Sequence, residues 1–440
     1  MQLLRDQPTT VRFAIIGVIV LAMLIPLSMV EGVTEERQGY FDETFQAISS
    51  AWGNEQSIAG PFLIVPEVHR FQVKDDDGDL VWHTRHRERV YLPTELNLDI
   101  QIDHQMRRRA IYEVPVYLAT IKFNGTFPAL DPQLLNRTDV EVQLDLARIA
   151  VGISHTQAIN TASTLKFGDT ESAFTAGTTQ SWIGTGVHAA ARRVSNTNPT
   201  AFAFDLEIKG THQLGFTPVG NTTQVQMMST WPHPSFNGTY LPERYETRDD
   251  GFTAKWTVHE LARDLPGSWR VDQKQVELAR SFARVSLFQP VTDYRVIDRA
   301  IKYGFLFIGL TFLGFVCFEL TTPIRFHPVQ YGVVGAGLVL FYLALLSLSE
   351  HIDFGSSYLI ATALITVLIS WYVWAMTRIW QLCAWMAVVV ASLYTTLYVL
   401  LQLEEFSLLV GTAVLFAGLI ALMITTRSLT AAEPDEPLAA

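Results

Sequence analysis

The sequence predicts an α+β membrane protein: six transmembrane helices, one N-terminal and five C-terminal, with a large β-rich, sandwich-like domain inserted after the first. Three observations predict it. Charge is unevenly spread over the 440 residues: three charged side chains fall among residues 1–30, sixty among 31–300 and twelve among 301–440. Apolar runs long enough to cross a bilayer occur in the two charge-poor ends. The charge-rich middle instead alternates apolar and polar residues with a period of two, as half-buried strands do.

The first apolar run covers residues 13–30, and Arg5 and Arg12 precede it. It is long for a secretory signal, and Ser28-Met29-Val30-Glu31 is a poor cleavage site, so it reads as an uncleaved anchor with Pro26 near its end. Five further runs follow at about 303–321, 332–348, 356–376, 382–401 and 407–426. At about 1.5 Å per residue, each crosses or nearly crosses a hydrocarbon core ~30 Å thick. Arg5, Arg12, Arg325 with His327, Arg378 and Arg427 fall on one side, while Glu350 with Asp353 and Glu404 with Glu405 fall on the other. The positive-inside rule therefore places both termini in the cytoplasm and residues 31–300 outside, although Arg295, Arg299 and Lys302 run against it. The expected division is a cytoplasmic tail at 1–11, an anchor helix at 12–30, an external domain at 31–300, a five-helix bundle at 301–427 and an acidic cytoplasmic tail at 428–440, disordered at its end.

In the external block, Phe41, Phe45, Ile48 and Trp52 recur at helical spacing up to Gly53, predicting one helix after the anchor. Strands are then predicted at 96–102, 140–146, 202–208 and 252–258, and a charged one at 81–91. Asp77-Gly78, Asn124-Gly125, Asn237-Gly238 and Asp250-Gly251 read as turns between strands. Residues 155–200, rich in Thr, Ser and Ala, read as an irregular excursion. Leu92-Pro93 and Leu241-Pro242 each lead into a strand, a turn and a second strand, a weak internal echo that chance between hairpins explains as well.

Composition excludes several functions. The net charge of −11 argues against nucleic acid as a partner and against a polybasic membrane-surface module. Both cysteines, Cys317 and Cys383, lie in apolar runs, so the external block has neither a disulfide framework nor a cysteine-based zinc site. The sequence lacks a G-x-S-x-G elbow, a Walker A loop, a dinucleotide fingerprint and an EF-hand loop. His259-Glu260 begins like a zincin, but position 263 is Arg where that motif needs a second His. His83 and His86 sit on a predicted strand, where their spacing splits them between faces. No cofactor is expected. Among charges inside the runs only Glu319 stands out, near the cytoplasmic end of its helix and within reach of Arg325; helix centres without charge count against a proton-coupled transporter. Gly332, Gly335 and Gly337 read as close helix-packing positions.

Three clusters remain as candidate functional or structural motifs. Ser229-Thr230-Trp231-Pro232-His233-Pro234-Ser235-Phe236 sets His233 between prolines and beside Trp231 and Phe236, a rigid bend leaving a strand that is either a binding loop or, preferably, a packed corner. Tyr294-Arg295-x-x-Asp298-Arg299-x-x-Lys302-Tyr303 pairs Asp298 at helical spacing with Arg295 and Lys302. Ser349-Glu350-His351 ends the third helix; Glu350 and His351 could do acid–base work, but a polar helix terminus is the safer reading. Arg299 or Lys302 is expected to contact one of Glu350, Asp353, Glu404 and Glu405.

These clusters carry a resemblance. With Thr217-Pro218-Val219-Gly220, Gly251-Phe252-x-Ala254-x-Trp256, Phe318-Glu319 and His327-Pro328-x-Gln330-Tyr331, they make the sequence similar to the CreD family of bacterial inner-membrane, cell envelope integrity proteins. The similarity is strong from about 200 to 360 and in 408–411, and looser through the first half. The resemblance implies one-plus-five helices around a large periplasmic domain, a link to envelope stress and two-component regulation, and no catalytic residue, substrate or cofactor to carry over. The resulting expectation is a non-enzymatic scaffold or sensor in the lipid bilayer of the inner membrane, contacting other envelope proteins or cell-wall components and no nucleic acid. The alternatives are an envelope enzyme acting on lipid-linked or cell-wall material, centred on His233 or on Glu350 and His351, and a transporter or flippase.

Overall fold

A computed structural model of the protein describes residues 9–427 apart from 75, 78, 131–136, 196, 264, 274–275, 279–280, 288–292, 322–323 and 404–405. The expected acidic tail at 428–440 and the Gly78 turn position lie outside the described residues. The chain forms two compact units, Met1–Asp42 with Val291–Ala440, and Glu43–Pro290.

The first unit is helical. α1 (Thr9–Ala22) and α2 (Leu24–Trp52) are separated only at Met23. Pro26 has no N–H to offer the Ala22 carbonyl and its ring crowds that carbonyl, which explains the break there. Met23 N still bonds Ile19 O at 3.0 Å, and Leu27 N bonds Met23 O at 3.2 Å. The helix predicted from Phe41 to Trp52 is thus no separate element: α2 runs unbroken from the anchor to Trp52. α3 (Asp293–Thr321), α4 (Pro328–Ser349), α5 (Phe354–Thr377), α6 (Trp380–Gln402) and α7 (Ser407–Thr426) follow. Counting α1 and α2 as one, six helices among the described residues are long and apolar enough to span a membrane. Two of the three glycines expected to allow close packing do so. A Cβ on Gly335 would meet Met23 Sδ at 2.8 Å and one on Gly337 would meet Ile365 Cδ1 at 3.3 Å, whereas Gly332 faces open space.

The second unit is a β structure whose first strands are long: β1 (Gln56–Lys74), β2 (Leu80–Tyr91), β3 (Glu95–Arg109) and β4 (Tyr112–Phe127). Short strands follow: β5 (Val140–Val142), β6 (Arg148–Ile153), β7 (Ile159–Ala162), β8 (Leu165–Phe167), β9 (Thr170–Ser172), β10 (Thr175–Ala176) and β11 (Gly186–Ala190). The remainder are β12 (Thr200–Thr211), β13 (Gln213–Phe216), β14 (Thr222–Ser229), β15 (Pro234–Gly238), β16 (Arg244–Arg248), β17 (Gly251–His259), β18 (Ser268–Arg270) and β19 (Ala283–Leu287).

They form two sheets. One runs β10-β11-β6-β1-β13-β19-β15, with β2 and β5 also on β1 and β18 on β2; the other runs β16-β17-β14-β3-β4-β12-β8-β9, with β7 on β12. Phe62, Leu63 and Ile64 of the first sheet share one buried cluster with Leu96, Leu98 and Ile100 of the second. The rings of Phe216 and Trp256 meet edge-on across the two sheets at 5.3 Å. The alternation in β3, β12 and β17 therefore buries one face of each strand in a common core, which makes the unit sandwich-like.

Three expectations need correction. The strand at 140–146 stops at Val142 because β5 pairs only with Glu67–His69 of β1; Gln143 N then bonds Pro66 O at 2.9 Å and Leu144–Leu146 turn the chain toward β6. Asn124-Gly125 is no turn but lies inside β4, where a Cβ on Gly125 would collide with the Glu95 carbonyl oxygen and crowd Phe202. Glycine is there for close approach of backbones. Residues 155–200 are not irregular throughout: the short strands β7–β11 interrupt the turns and irregular chain.

Candidate functional site

The 229–236 segment carries the chain from the second sheet to the first. β14 ends at Ser229, whose Oγ accepts Trp231 N at 3.1 Å, and Trp231 Nε1 donates to His233 O at 3.1 Å. Trp231 is buried, and its ring meets His104 edge-on at 5.2 Å. His104 Nδ1 lies 2.6 Å from Thr230 Oγ1. Pro234 opens β15, an edge strand of the first sheet, where the missing N–H costs little. Phe236 reaches back to the second sheet, packing on Tyr245, Phe252 and Trp256 at 5.1, 5.7 and 5.8 Å. His233 itself is exposed and contributes its carbonyl to the corner.

Beside this corner, the outer face of the second sheet holds a depression of about 360 Å³. Strand register builds its floor. Glu246 pairs with Thr253, Thr253 with Met228, and Met228 with Gln101, so one row crosses four strands. The neighbouring row contains Arg248 and Gly251. Gly251 sits at φ +144°, and a Cβ there would collide with the Ser229 carbonyl oxygen, so the floor stays open at that point. Asp103, Glu246 and Asp250 give the rim an acidic character. Arg248 is the basic residue of the lining, and it spends its charge on Glu246 at 3.1 Å.

Close by in sequence, Arg263 explains the failed zincin pattern. Its guanidinium donates to the Val219 carbonyl and, at 2.6 Å, to Asn221 Oδ1, pinning the Thr217–Asn221 turn. Burial holds its pKa below the ordinary arginine value, an effect that Glu260 offsets in part.

In the helical unit, the other candidate residues gather at two ends. At one, Glu350 Oε1 accepts Tyr294 OH at 3.3 Å and lies 3.6 Å from Arg37 Nε. His351 Nδ1 lies 3.2 Å from Ser347 O. Lys302 pairs with Asp298 at 2.7 Å on its own helix, and Arg299 donates to Leu401 O at 2.8 Å. Of the four acids that Arg299 or Lys302 is expected to meet, Glu350 is engaged by Arg37 of α2 and Tyr294 of α3, and Glu404 and Glu405 lie outside the described residues. Asp353 caps α5 by accepting Ser356 N at 2.9 Å, and that bond holds its pKa below the usual carboxylate range. At the other end, His327 and Gln330 form a reciprocal capping box around Pro328. Glu319 accepts Phe326 N at 2.6 Å and pairs with Arg12 at 3.4 Å, rather than with Arg325 as its spacing suggested. Arg12 also donates to Phe326 O at 3.0 Å, which ties the start of α1 to the α3–α4 connection.

The profile described as Inner membrane protein CreD matches residues 8–431. The chain belongs to the CreD family. It is 29% identical to the inner membrane protein CreD of Escherichia coli strain K12 over 412 residues, which is 93% of this chain and 91% of that one. As a CreD-family protein with six spanning helices it is a multi-pass protein of the inner membrane. Among solved structures, the M1 zinc metallopeptidase of Deinococcus radiodurans aligns at 10% identity over 44% of this chain and 42% of that one, with a TM-score of 0.23. A form of that peptidase bound to a Tyr-Ser-Ala substrate aligns at 9% identity over 79% of this chain and 96% of that one, also at 0.23. Neither likeness bears on the fold or chemistry of this chain.

Within this CreD-family chain, the candidate residues separate into the corner of Trp231, His233, Pro234 and Phe236, the end with Asp298, Arg299, Lys302, Glu350 and His351, and the opposite end with His327 and Gln330. Sequence reasoning missed Arg37 and His104, the pairing of Arg12 with Glu319, and the gathering of Asp103, Glu246 and Asp250 on one rim. Of the depression, Asp250 and Gly251 carried a signal as a predicted turn, and Ser229 and Thr230 as the start of the predicted corner.

Proposed function

We propose that this CreD-family protein supports cell envelope integrity or the envelope-stress response without catalysing a reaction, as a scaffold or sensor that binds an envelope component through its β-rich unit. The depression at the Trp231 corner carries this reading, since it is the place where an acidic concave surface, an open sheet edge and the family's motif residues coincide. The partners are the lipid bilayer and other envelope proteins or cell-wall components. Both termini are cytoplasmic and residues 31–300 periplasmic, with the anchor at 12–30 and the bundle at 301–427. The arginines at 12, 325, 378 and 427 against the acids at 350 and 353 support that orientation.

A photo-crosslinking residue at Met228, on the floor of the depression, is expected to capture an envelope component in living cells, while one at Glu171, on the β9 edge, captures none. Equal labelling from both positions, or none from Met228, overturns the reading. Reporter fusions at Thr84 or Ser195 are expected to be external and one at Gln330 cytoplasmic; an external signal at Gln330 overturns the orientation.

A further inference from the structure

We propose that the tip of the β3–β4 hairpin docks on the bilayer surface, setting Met106 and Ile111 among the lipids and Arg107, Arg108 and Arg109 against anionic phospholipid headgroups. The inference goes beyond the reading above and makes no use of the depression at the Trp231 corner. Arg109 pairs with Tyr112 across the two-residue loop Ala110-Ile111. Residues 105–111 are all exposed, Met106 and Ile111 included. Within residues 104–114 the three arginines meet one acid, Glu113, which lies 3.2 Å from Arg108 and leaves a surplus of two positive charges. Arg107 lies over the Trp52 ring at 4.3 Å, a contact that holds it without neutralising it. Exposed apolar side chains among basic ones bind a lipid interface by apolar burial and by attraction to anionic headgroups.

Contacts inside the β-rich unit give the tip its direction. Trp52 Nε1 donates to Tyr117 O at 3.1 Å, Ser49 Oγ lies 2.5 Å from Thr211 Oγ1, and the Phe45 ring meets His212 at 6.3 Å. Gly210 pairs with Tyr117 and Thr211 with Val116, so going back along α2 leads the same way as β4 leads to its loop. The chain leaves the unit at this end too: Leu287, its last described residue, donates its N–H to His212 O at 2.7 Å. Both connections to the spanning helices therefore start at the end toward which the hairpin points. The lengths agree. At about 1.5 Å per residue, α2 measures about 22 Å from Phe45 back to Val30, where the apolar run ends. At about 3.4 Å per residue, β4 and its loop measure about 17 Å from Val116 to Ile111, and a headgroup layer about 5–7 Å thick fills the difference. On α2, Glu31, Glu35 and Glu36 stand beside Arg37, so a response to lipid charge is assigned to the tip by replacing the tip's own arginines.

The test uses the full-length protein in nanodiscs, with a fluorescent amino acid at position 111 and headgroup-spin-labelled lipid as quencher. A control label replaces Glu171, whose row through Lys166 to Ala203 lies at the other end of β12. In discs of mixed phosphatidylglycerol and phosphatidylcholine, quenching is expected at position 111 and not at 171. Arg108→Gln combined with Arg109→Gln is expected to lower the docked-to-free ratio about tenfold, the scale for two arginines at an anionic surface when Glu113 shares one of them. Discs of phosphatidylcholine alone are expected to give a similar loss with no substitution, so the result stands even where the double variant melts early. Quenching at 111 no greater than at 171 overturns the proposal. So does quenching that survives either the arginine replacement or the removal of phosphatidylglycerol.

Discussion

Glu67 lies in the middle of β1, between its pairings with β2 and β5, and its side chain is fully buried. Oε1 accepts Arg89 Nε at 2.6 Å, and Oε2 lies 2.8 Å from His69 Nε2. Replacing it with alanine removes two hydrogen bonds to a charged group, each worth about 1.5–3 kcal/mol, and strands part of the Arg89 charge. Breaking a buried pair in this way typically costs about 3–5 kcal/mol. Arg89 keeps 21% of its side chain exposed and can recover some hydration, so the lower figure applies. In a unit of this size about 1 kcal/mol moves the melting temperature by 2–4 °C, so Glu67→Ala is expected to lower it by about 6–12 °C. Glu67→Gln keeps the shape and both polar atoms and is expected to lose less than half as much. The assay is tryptophan-fluorescence melting of the purified full-length protein, with Arg89→Met as a companion that also removes the pair. An alanine variant that melts at the parent's temperature would refute the reasoning.

Three further outcomes follow from the same geometry. Glu319→Leu is expected to destabilise the helical unit more than Glu319→Gln, which can still accept Phe326 N. A double-mutant cycle with Arg12→Gln should return a coupling of about 1–3 kcal/mol, and zero coupling would remove the Arg12 clamp. Asp353 has a folded pKa below its unfolded value, so its cap acts above about pH 4 and is lost as pH falls through the folded pKa. Weaker protection of the Ser356 amide, relative to its intrinsic exchange rate at each pH, is therefore expected in acid in the parent and not in Asp353→Asn; the same acid response in both would contradict the cap. Gly125→Ala is expected to cost about 1–3 kcal/mol or more through collision with the Glu95 carbonyl, whereas Gly332→Ala, with open space around it, should leave melting unchanged.

The parts of the fold that were legible rest on periodicity over long segments. The spanning helices are uncharged for about five turns, and β3, β12 and β17 alternate for seven residues or more; both patterns report burial directly. What failed rests on contacts between distant segments. Asn124-Gly125 has the composition of a turn, but its glycine answers to Glu95, thirty positions earlier, and to Phe202 on a third strand. The 155–200 stretch has polar, small residues because its strands are two to five residues long and β7, β9 and β10 are largely exposed. The spacing from Phe41 to Trp52 reports a helix, yet nothing in its composition marks that it continues the anchor. Glu31, Glu35, Glu36 and Arg37 look like a solvated linker until α2 is traced through them.

The candidate site illustrates the harder limit. Its floor is a row of Glu246, Thr253, Met228 and Gln101, drawn from four strands and set side by side by register alone. Each of these residues occupies the outward, polar phase of its strand, the same phase that any solvated sheet face would show. No local pattern separates them from Asn97 or Gln224 on the same strands. The prolines and aromatics at 231–236 announced a corner, because fixed φ and missing donors are local properties. The concavity beside it follows from a glycine whose side chain is excluded by a neighbouring strand, and that exclusion exists only once β14 and β17 are paired. The same reasoning applies to Glu350. Its family motif was visible, but Arg37 and Tyr294 reach it only because α2, α3 and α4 come together at one end of the bundle. A site assembled by register and helix ends is therefore read from pairings, and the sequence supplies its parts without their adjacency.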